Sequence, residues 1–310
     1  QRIKNWILTL PLIIKYLPIL LLLILPLLPK AETNVELGNP PGKYISLETN
    51  KLHLHCVGVG SPIVVFDSGV GGSHMDWINV QSRVGKFTQA CSYDRSGYGW
   101  SEMGIKPRTS KRIVNELTEI LKMAKKEPPY ILVGHSFGGL NMQLFARTNP
   151  KDVIGLVLID SIHTEQYKRF EDAGIEIPIM NTTRFLLGSK DQVTQGMPED
   201  YKDIAYKLVR SDKALSSMFN ELRNMHVSTQ EISAAAKMPN IPITVITHGK
   251  QVWDNPMFKN MEEIWLTLQT QLSKSTSKGK LLIADGSGHH IHLEQPELVL
   301  NEIKSILEKK

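Results

Sequence analysis

A serine between two glycines is the pattern that most directly indicates chemistry in this chain. Residues 130–139 read YILVGHSFGG, an apolar run followed by Gly134, Ser136 and Gly138 and then by a sequence that can form a helix. A tight strand-to-helix turn needs small residues around its central serine, because bulky ones would clash there. The turn would lift the Ser136 hydroxyl above the strand and place a helix N-terminus beneath it. We therefore predict that Ser136 is a nucleophile, with an ordinary glycine turn as the alternative.

A histidine-rich loop near the C-terminus offers the base that a serine nucleophile needs. Residues 285–292 read DGSGHHIH and follow an apolar run. His289 is the first histidine after the turn, and we predict it to be the base. His290 and His292 are interpreted as structural or surface neighbours. No pattern of Cys, Asp or Glu near them indicates a zinc site, and no metal or organic cofactor is predicted.

The acid of a triad in the order nucleophile, acid, histidine must lie between Ser136 and His289. Asp160 ends the apolar segment Val153–Ile159, and Asp254 follows a later apolar segment in THGKQVWDNP. An aspartate at the end of a strand can also simply cap a helix or turn. We favour Asp160 as the acid and keep Asp254 as the alternative.

A second glycine-rich segment could supply part of an oxyanion hole. Residues 66–72 read FDSGVGG and follow a short apolar run. We predict that the amide N–H of Val70 and that of Phe137, directly after the nucleophile, donate to a developing oxyanion. A simple glycine turn is the alternative for residues 66–72.

The elements that must position these residues alternate along the chain. Residues 109–124 place apolar side chains on one stripe, as an amphipathic helix does. Strands are predicted at residues 44–47, 52–57, 63–66, 90–93, 130–133, 153–159, 243–247 and 280–284. Apolar strands alternating with helices predict an α/β fold with helices on both faces of the sheet. Residues 161–240 contain no good strand and are predicted to form an inserted helical cap.

Composition excludes several other classes of protein. The chain has 310 residues, of which 41% are hydrophobic and 22% charged, and these values exclude wholesale disorder. The formal charge is +5, but four basic and no acidic residues lie within residues 1–30. The remainder is nearly neutral, so no nucleic-acid partner is implied.

Residues 1–30 are predicted to be a membrane anchor or signal segment. Within residues 6–29 the only charge is Lys15, and such a helix would be about 36 Å long, enough to cross a bilayer. Arg2 and Lys4 precede the most apolar run, so the rest of the chain is expected outside the cytoplasm. We favour an uncleaved anchor over a cleaved signal, which would make the protein secreted. Residues 31–42 are interpreted as a linker.

Five segments in the same order resemble the α/β-hydrolase superfamily, in particular its membrane-attached or exported members. They read DSGVGGSHMDW, SYDRSGYGWSE, ILVGHSFGGL, LVLIDS and GSGHHIHLEQPE. The resemblance covers about residues 43–310. It implies an eight-stranded, mostly parallel sheet in which Ser136 and His289 form the catalytic pair. It also implies neighbouring strands for Cys56 and Cys91, which would allow a disulfide, with two buried thiols as the alternative.

The chain departs from the family pattern at two places. Ser68-Gly69 stands where the usual sequence is His-Gly. After the penultimate strand, Val252 stands at the offset from Gly249 where an Asp is common. The second departure is the reason for preferring Asp160 as the acid.

The residues and the resemblance together predict a serine hydrolase that cleaves carboxylic esters through an acyl-enzyme. Apolar or lipid-like small-molecule esters are the expected substrates, and the membrane is an expected partner through the N-terminal segment. The alternatives are an aminopeptidase-like amide hydrolase, a lactonase, and a non-catalytic binding protein on the same fold. A serine nucleophile instead of an aspartate argues against epoxide hydrolase or dehalogenase chemistry.

Overall fold

The structure of the chain, a computed structural model, describes residues 39–175, 187–253 and 260–308. The predicted anchor at residues 1–30, most of the linker, part of the predicted cap and Asp254 lie outside these ranges. Among the described helices, none is both long enough and apolar enough to span a bilayer.

Eight strands of the described residues form one sheet in the order β1-β2-β4-β3-β5-β6-β7-β8. The strands β1 and β2 pair antiparallel, as do β2 and β4, and every other neighbouring pair is parallel. This confirms the predicted α/β fold with a mostly parallel sheet. The strands are β1 (Lys43–Ser46), β2 (Lys51–Val57), β3 (Ile63–Asp67), β4 (Ala90–Tyr93), β5 (Tyr130–His135), β6 (Val153–Ile159), β7 (Ile243–His248) and β8 (Gly279–Ala284).

The central strands are apolar throughout because helices cover both faces of the sheet. Along β3, Val65 packs into one core cluster, whereas Val64 and Phe66 pack into the cluster on the other face. Successive side chains of a strand point to opposite faces, so a strand covered on both sides reads as an unbroken apolar run. The resulting rigid sheet fixes the positions at which its strands end.

Helices connect the strands and form the described part of the region between β6 and β7. The helix α2 shows the pattern clearly, because Ile113, Leu117 and Ile120 are fully buried along one stripe. No strand occurs in the described parts of residues 161–240, where α4 to α8 lie. The helices are α1 (Ile78–Val84), α2 (Ser110–Met123), α3 (Phe137–Thr148), α4 (Gln166–Asp172), α5 (Lys190–Val193), α6 (Glu199–Val209), α7 (Asp212–Arg223), α8 (Met225–Ala234), α9 (Met261–Ser273), α10 (Ile291–Glu294) and α11 (Pro296–Glu308).

A disulfide joins β2 to β4. Cys56 and Cys91 are opposite each other in the antiparallel register of these strands, with their Cα atoms 4.1 Å apart. The bond cross-links two residues that are 35 positions apart in the sequence. It therefore closes a loop that contains all of β3 and α1.

Reduction of this disulfide should destabilise the protein. Because the cross-link restricts the unfolded chain, we expect reduction to lower the free energy of unfolding by about 2–5 kcal/mol. Urea unfolding with and without a thiol reductant measures the difference. The double variant Cys56→Ala/Cys91→Ala is the control, and its midpoint should not respond to reductant. Equal midpoints for the reduced and the oxidised native chain would contradict the prediction.

Candidate active site

The carboxyl ends of three adjacent parallel strands bring the predicted site residues to one edge of the sheet. The register pairs His135 of β5 with Ile159 of β6, and Ile159 with Ile246 of β7. Ser136 and Asp160 directly follow these paired positions. Adjacent strand ends therefore place a hydroxyl and a carboxylate on the same side of the fold, although 24 positions in the sequence separate them.

Ser136 occupies a sharp turn between β5 and α3. Its backbone angles are φ 52° and ψ −117°, a conformation that residues other than glycine rarely adopt. A Cβ atom at Gly134 would lie 2.6 Å from the carbonyl oxygen of Gly138, and one at Gly138 would lie 2.2 Å from that of Asp67. The two glycines are therefore required by close backbone contacts, and they hold Ser136 in a strained conformation of the kind that clusters at functional sites.

Asp160 and His289 form a direct contact. The Nδ1 atom of His289 lies 2.6 Å from Oδ2 of Asp160. Asp160 is fully buried, whereas the His289 side chain is 15% exposed. The alternative acid, Asp254, lies outside the described residues. Of the two candidate acids, the structure thus describes one, and it brings that one to the predicted base.

Asp160 accepts more hydrogen bonds than the one from His289. The Thr247 hydroxyl, the Trp265 indole N–H and both the backbone N–H and Nδ1 of His248 contact Oδ1 at 2.8–3.2 Å. Burial by itself would raise the pKa of this carboxyl, but hydrogen bonds from His248 and His289 hold the pKa well below its usual range. Asp160 is therefore ionised over the whole physiological range of pH.

The predicted oxyanion donors lie in the loop after β3 and at the start of α3. Phe137 is the first residue of α3, so its N–H has no acceptor within the helix. Among the described residues, no hydrogen bond uses the N–H of Val70 or of Phe137. Both amides are thus free to donate to a bound oxyanion.

A buried arginine holds the loop that contains Val70. All five N–H groups of Arg95 are used, because they contact the Asp67 carboxylate, the carbonyl oxygens of Ser68 and Gly69, and both carboxylate oxygens of Glu221. Glu221 belongs to α7, between β6 and β7, and its side chain is fully buried. Arg95 therefore ties the loop after β3 to the helical region above the sheet.

Four histidine rings pack beside Ser136. The ring of His135 lies 4.6 Å from that of His289, 5.2 Å from that of His290 and 4.4 Å from that of His292, measured between centroids. The Nε2 atom of His135 donates to the carbonyl oxygen of His289 at 2.9 Å. Burial holds the pKa of His135 well below its ordinary value, so this ring is neutral. His135 thereby positions the loop that carries His289.

No hydrogen bond joins the Ser136 hydroxyl to His289 in the described structure. Catalytic hydrogen bonds are often long or poorly aligned in enzymes without substrate and tighten in the substrate complex. The contact from His289 to Asp160 is already formed. The contact between the Ser136 hydroxyl and His289 is the one that a nucleophile and base pair would still have to form.

A second histidine cluster, formed by His53, His74 and Asp94, contains residue types that can bind a metal. Nδ1 of His53 and Nδ1 of His74 lie 2.8 and 2.9 Å from the carboxylate oxygens of Asp94. These are distances of ordinary hydrogen bonds, and Asp94 also accepts the backbone N–H groups of His74 and Trp100. A hydrogen-bonded network that anchors the turn after β4 accounts for the cluster, and we assign no metal to it.

An apolar cleft lies beside the loop after β3. Its walls come from that loop, from α5 and α6, and from the segment before α11. Just over half of the lining side chains are those of Val, Leu, Ala or Met. Within the described part of the chain, the only carboxylate of the lining is that of Asp76, which caps a helical turn. The lining residues include Val70, Met75, Asp76, His135, Val193, Met197, Leu208, Val209, His290 and Leu293.

Comparison with known proteins identifies the family. Residues 64–302 match the sequence family described as "Alpha/beta hydrolase family". The chain belongs to this family. This α/β hydrolase is 26% identical over 247 residues to the uncharacterized protein YqjL of Bacillus subtilis (strain 168), a match that covers 79% of the chain and 83% of YqjL.

Solved structures share the fold of this α/β hydrolase. The enol-lactonase from Burkholderia xenovorans LB400 aligns with a TM-score of 0.63 and 16% identity, covering 86% of this chain and all of that one. A Vigna radiata epoxide hydrolase mutant aligns with a TM-score of 0.66 and 17% identity, covering 86% of this chain and 98% of the other. At such identities the likeness shows the fold alone.

Three residues that contact the site, His248, Glu262 and Arg95, are not among those predicted from the sequence. His248 is the last residue of β7, and its position beside the end of β6 follows from the parallel register. A search for polar residues at every strand end would have found it. Glu262 and Arg95 carry no such signal, because their partners come from distant parts of the chain.

Removal of the Arg95 cation should destabilise this α/β hydrolase strongly. Arg95→Met would leave the carboxylates of Asp67 and Glu221 buried without their cation, and we expect a loss of about 3–5 kcal/mol in the free energy of unfolding. Arg83→Met is the matched control, because Arg83 pairs with Glu297 on the surface and exposed pairs contribute little. Chemical denaturation measures both variants. Similar losses for the two would show that burial of the Arg95 network is not the decisive factor.

Proposed function

We propose that this α/β hydrolase is a serine hydrolase that cleaves carboxylic esters through an acyl-enzyme. The observation that carries the proposal is the contact between His289 and the buried Asp160 at the strand edge where Ser136 occupies its strained turn. The chain order nucleophile (Ser136), acid (Asp160), base (His289) is typical of serine hydrolases of this fold.

In the proposed reaction, the Ser136 hydroxyl attacks the ester carbonyl carbon and its proton passes to Nε2 of His289. Asp160 accepts the hydrogen bond from Nδ1 of His289, orients the ring and stabilises the imidazolium that forms. The N–H groups of Val70 and Phe137 donate to the oxyanion of the tetrahedral intermediate.

Collapse of the intermediate expels the alkoxide, which takes the proton from His289 and leaves as the alcohol. Water then attacks the acyl-enzyme, with His289 again accepting a proton, and Ser136 is regenerated. No group outside this chain and water is needed to balance either half-reaction.

The cleft favours substrates with an apolar acyl group. Its aliphatic lining begins at Val70, beside the proposed oxyanion site. Small-molecule sites are mostly apolar, with a few polar groups that fix orientation. An aminopeptidase-like substrate would carry an ammonium group. Among the described residues of the lining, the only carboxylate is that of Asp76, and it already accepts from the backbone N–H of Ser73. The cleft therefore favours the ester over the amide alternative.

Labelling by a fluorophosphonate tests the proposed nucleophile. We expect the native chain to be labelled, and Ser136→Ala and His289→Ala to lose labelling and to lose ester hydrolysis by on the order of 10⁴- to 10⁶-fold in kcat. Ser82→Ala and His226→Ala are controls, because both side chains are exposed. A folded native chain that resists the probe would overturn the mechanism and favour a binding protein.

Narrowing of the cleft should change the preference for acyl chain length. Leu208 is buried in the wall of the cleft, and Leu208→Trp should fill part of the space. We expect kcat/KM for long-chain p-nitrophenyl esters to fall at least about tenfold relative to short-chain esters. Leu266→Trp, at an exposed position of α9, should leave the ratio unchanged. An unchanged ratio in Leu208→Trp would place the acyl group elsewhere.

A further inference from the structure

Asp160 contacts two histidines, of which the proposed mechanism uses only one. His289 reaches Oδ2 at 2.6 Å, and Nδ1 of His248 lies 2.8 Å from both carboxylate oxygens. His248 is buried at the end of β7, on the side of Asp160 that faces α9. A triad needs one histidine on the acid, so the second requires a separate explanation.

The other ring nitrogen of His248 contacts a second carboxylate. Nε2 of His248 lies 2.8 Å from Oε2 of Glu262, in the first turn of α9. An ionised carboxylate can only accept, so a histidine that contacts carboxylates through both nitrogens must donate from both. The geometry therefore requires the doubly protonated, positively charged ring.

Glu262 is itself held in place on both sides. Its Oε1 atom accepts the backbone N–H groups of Val252 at 2.6 Å and Trp253 at 2.9 Å. The indole of Trp265, three residues after Glu262, donates to Asp160. The N-terminal part of α9 thus contributes both a carboxylate to His248 and a donor to the carboxylate of Asp160.

We propose that His248, bound as an imidazolium between Asp160 and Glu262, is a positioning residue for the catalytic pair of Asp160 and His289. This inference rests on the proposed function. The two contacts of Nδ1 fix the plane of the Asp160 carboxylate toward His289. Two carboxylates and one imidazolium leave one net negative charge facing His289. Without Glu262, the positive charge of His248 would cancel the negative charge of Asp160. With Glu262 present, one negative charge remains to stabilise His289 when the His289 ring becomes positive in the transition state.

The protonation of His248 follows the same geometry. Burial alone would lower its pKa, but hydrogen bonds and Coulomb attraction from Asp160 and then Glu262 outweigh burial and raise the pKa to about 9. The titratable groups that face His248 among the described residues are Asp160 on the β6 side, Glu262 on α9 and, across Asp160, His289. The stabilisation from this charge is complete below about pH 6.5 and is lost as the pH rises through about 9.

The test compares Glu262→Gln with Glu263→Gln, which makes the same charge change at the exposed neighbouring residue of α9. We expect Glu262→Gln to lower kcat about 10- to 100-fold with little change in KM. The expected size is that of losing a residue that orients the ligand of a metal through a hydrogen bond. The alkaline limb of its pH–rate profile should also move to lower pH, because His248 loses a stabilising anion. Glu263→Gln should match the native chain in both respects. An unchanged kcat and alkaline limb in Glu262→Gln would overturn the proposal.

Nuclear magnetic resonance of ¹⁵N-labelled histidine gives a second readout that does not need activity. In the folded full chain, His248 should show two ring N–H protons at pH 7 and lose one as the pH rises through about 9. A single ring N–H at pH 7 would overturn the proposal. Failure of the proposed function itself would look different, since the native chain would resist the fluorophosphonate while the His248 signals kept their titration.

Discussion

The buried carboxylate of Asp160 is the contact on which the arrangement of the site depends. An ionised carboxylate removed from water costs several kcal/mol unless donors replace the lost hydration. Here the donors come from the end of β7, from α9 and from the loop before α10. Each of these elements must take its observed position for the carboxylate to be satisfied, so the same requirement positions His289.

A second buried charge organises the loop after β3 that contains Val70. The guanidinium of Arg95 is surrounded by two carboxylates and two backbone carbonyls, and it links the loop after β3 to α7. Buried ion pairs often contribute little net stability, but breaking one by removing a single partner is costly. The two networks therefore specify one arrangement of loops around the apolar cleft.

The strain at Ser136 connects the sheet to these networks. Ser136 has a positive φ of 52°, and Asp160 also has a positive φ, of 43°. Both residues therefore leave their strands in an unfavourable backbone conformation. The parallel register of β5, β6 and β7 and the hydrogen bonds around Asp160 hold that conformation in place. The geometry of the site is thus maintained by the rigid sheet beneath it and by paired charges beside it.

Local patterns of residue types were enough to predict the features of the fold that depend on short stretches of the chain. Apolar runs and their spacing predicted the strands and the fold class, because burial on both faces of a sheet leaves a continuous apolar signature. The glycines around Ser136 predicted its turn, because close backbone contact excludes larger residues. The sequence favoured Asp160 as the acid but left Asp254 open, and the contact of His289 with Asp160, 129 positions away, is visible only in the folded chain. The same holds for the place of His248 between Asp160 and Glu262 and for the contact of Arg95 with Glu221, 126 positions away. Contacts of this kind are set by how whole elements pack against one another, and no local pattern of residue types records them.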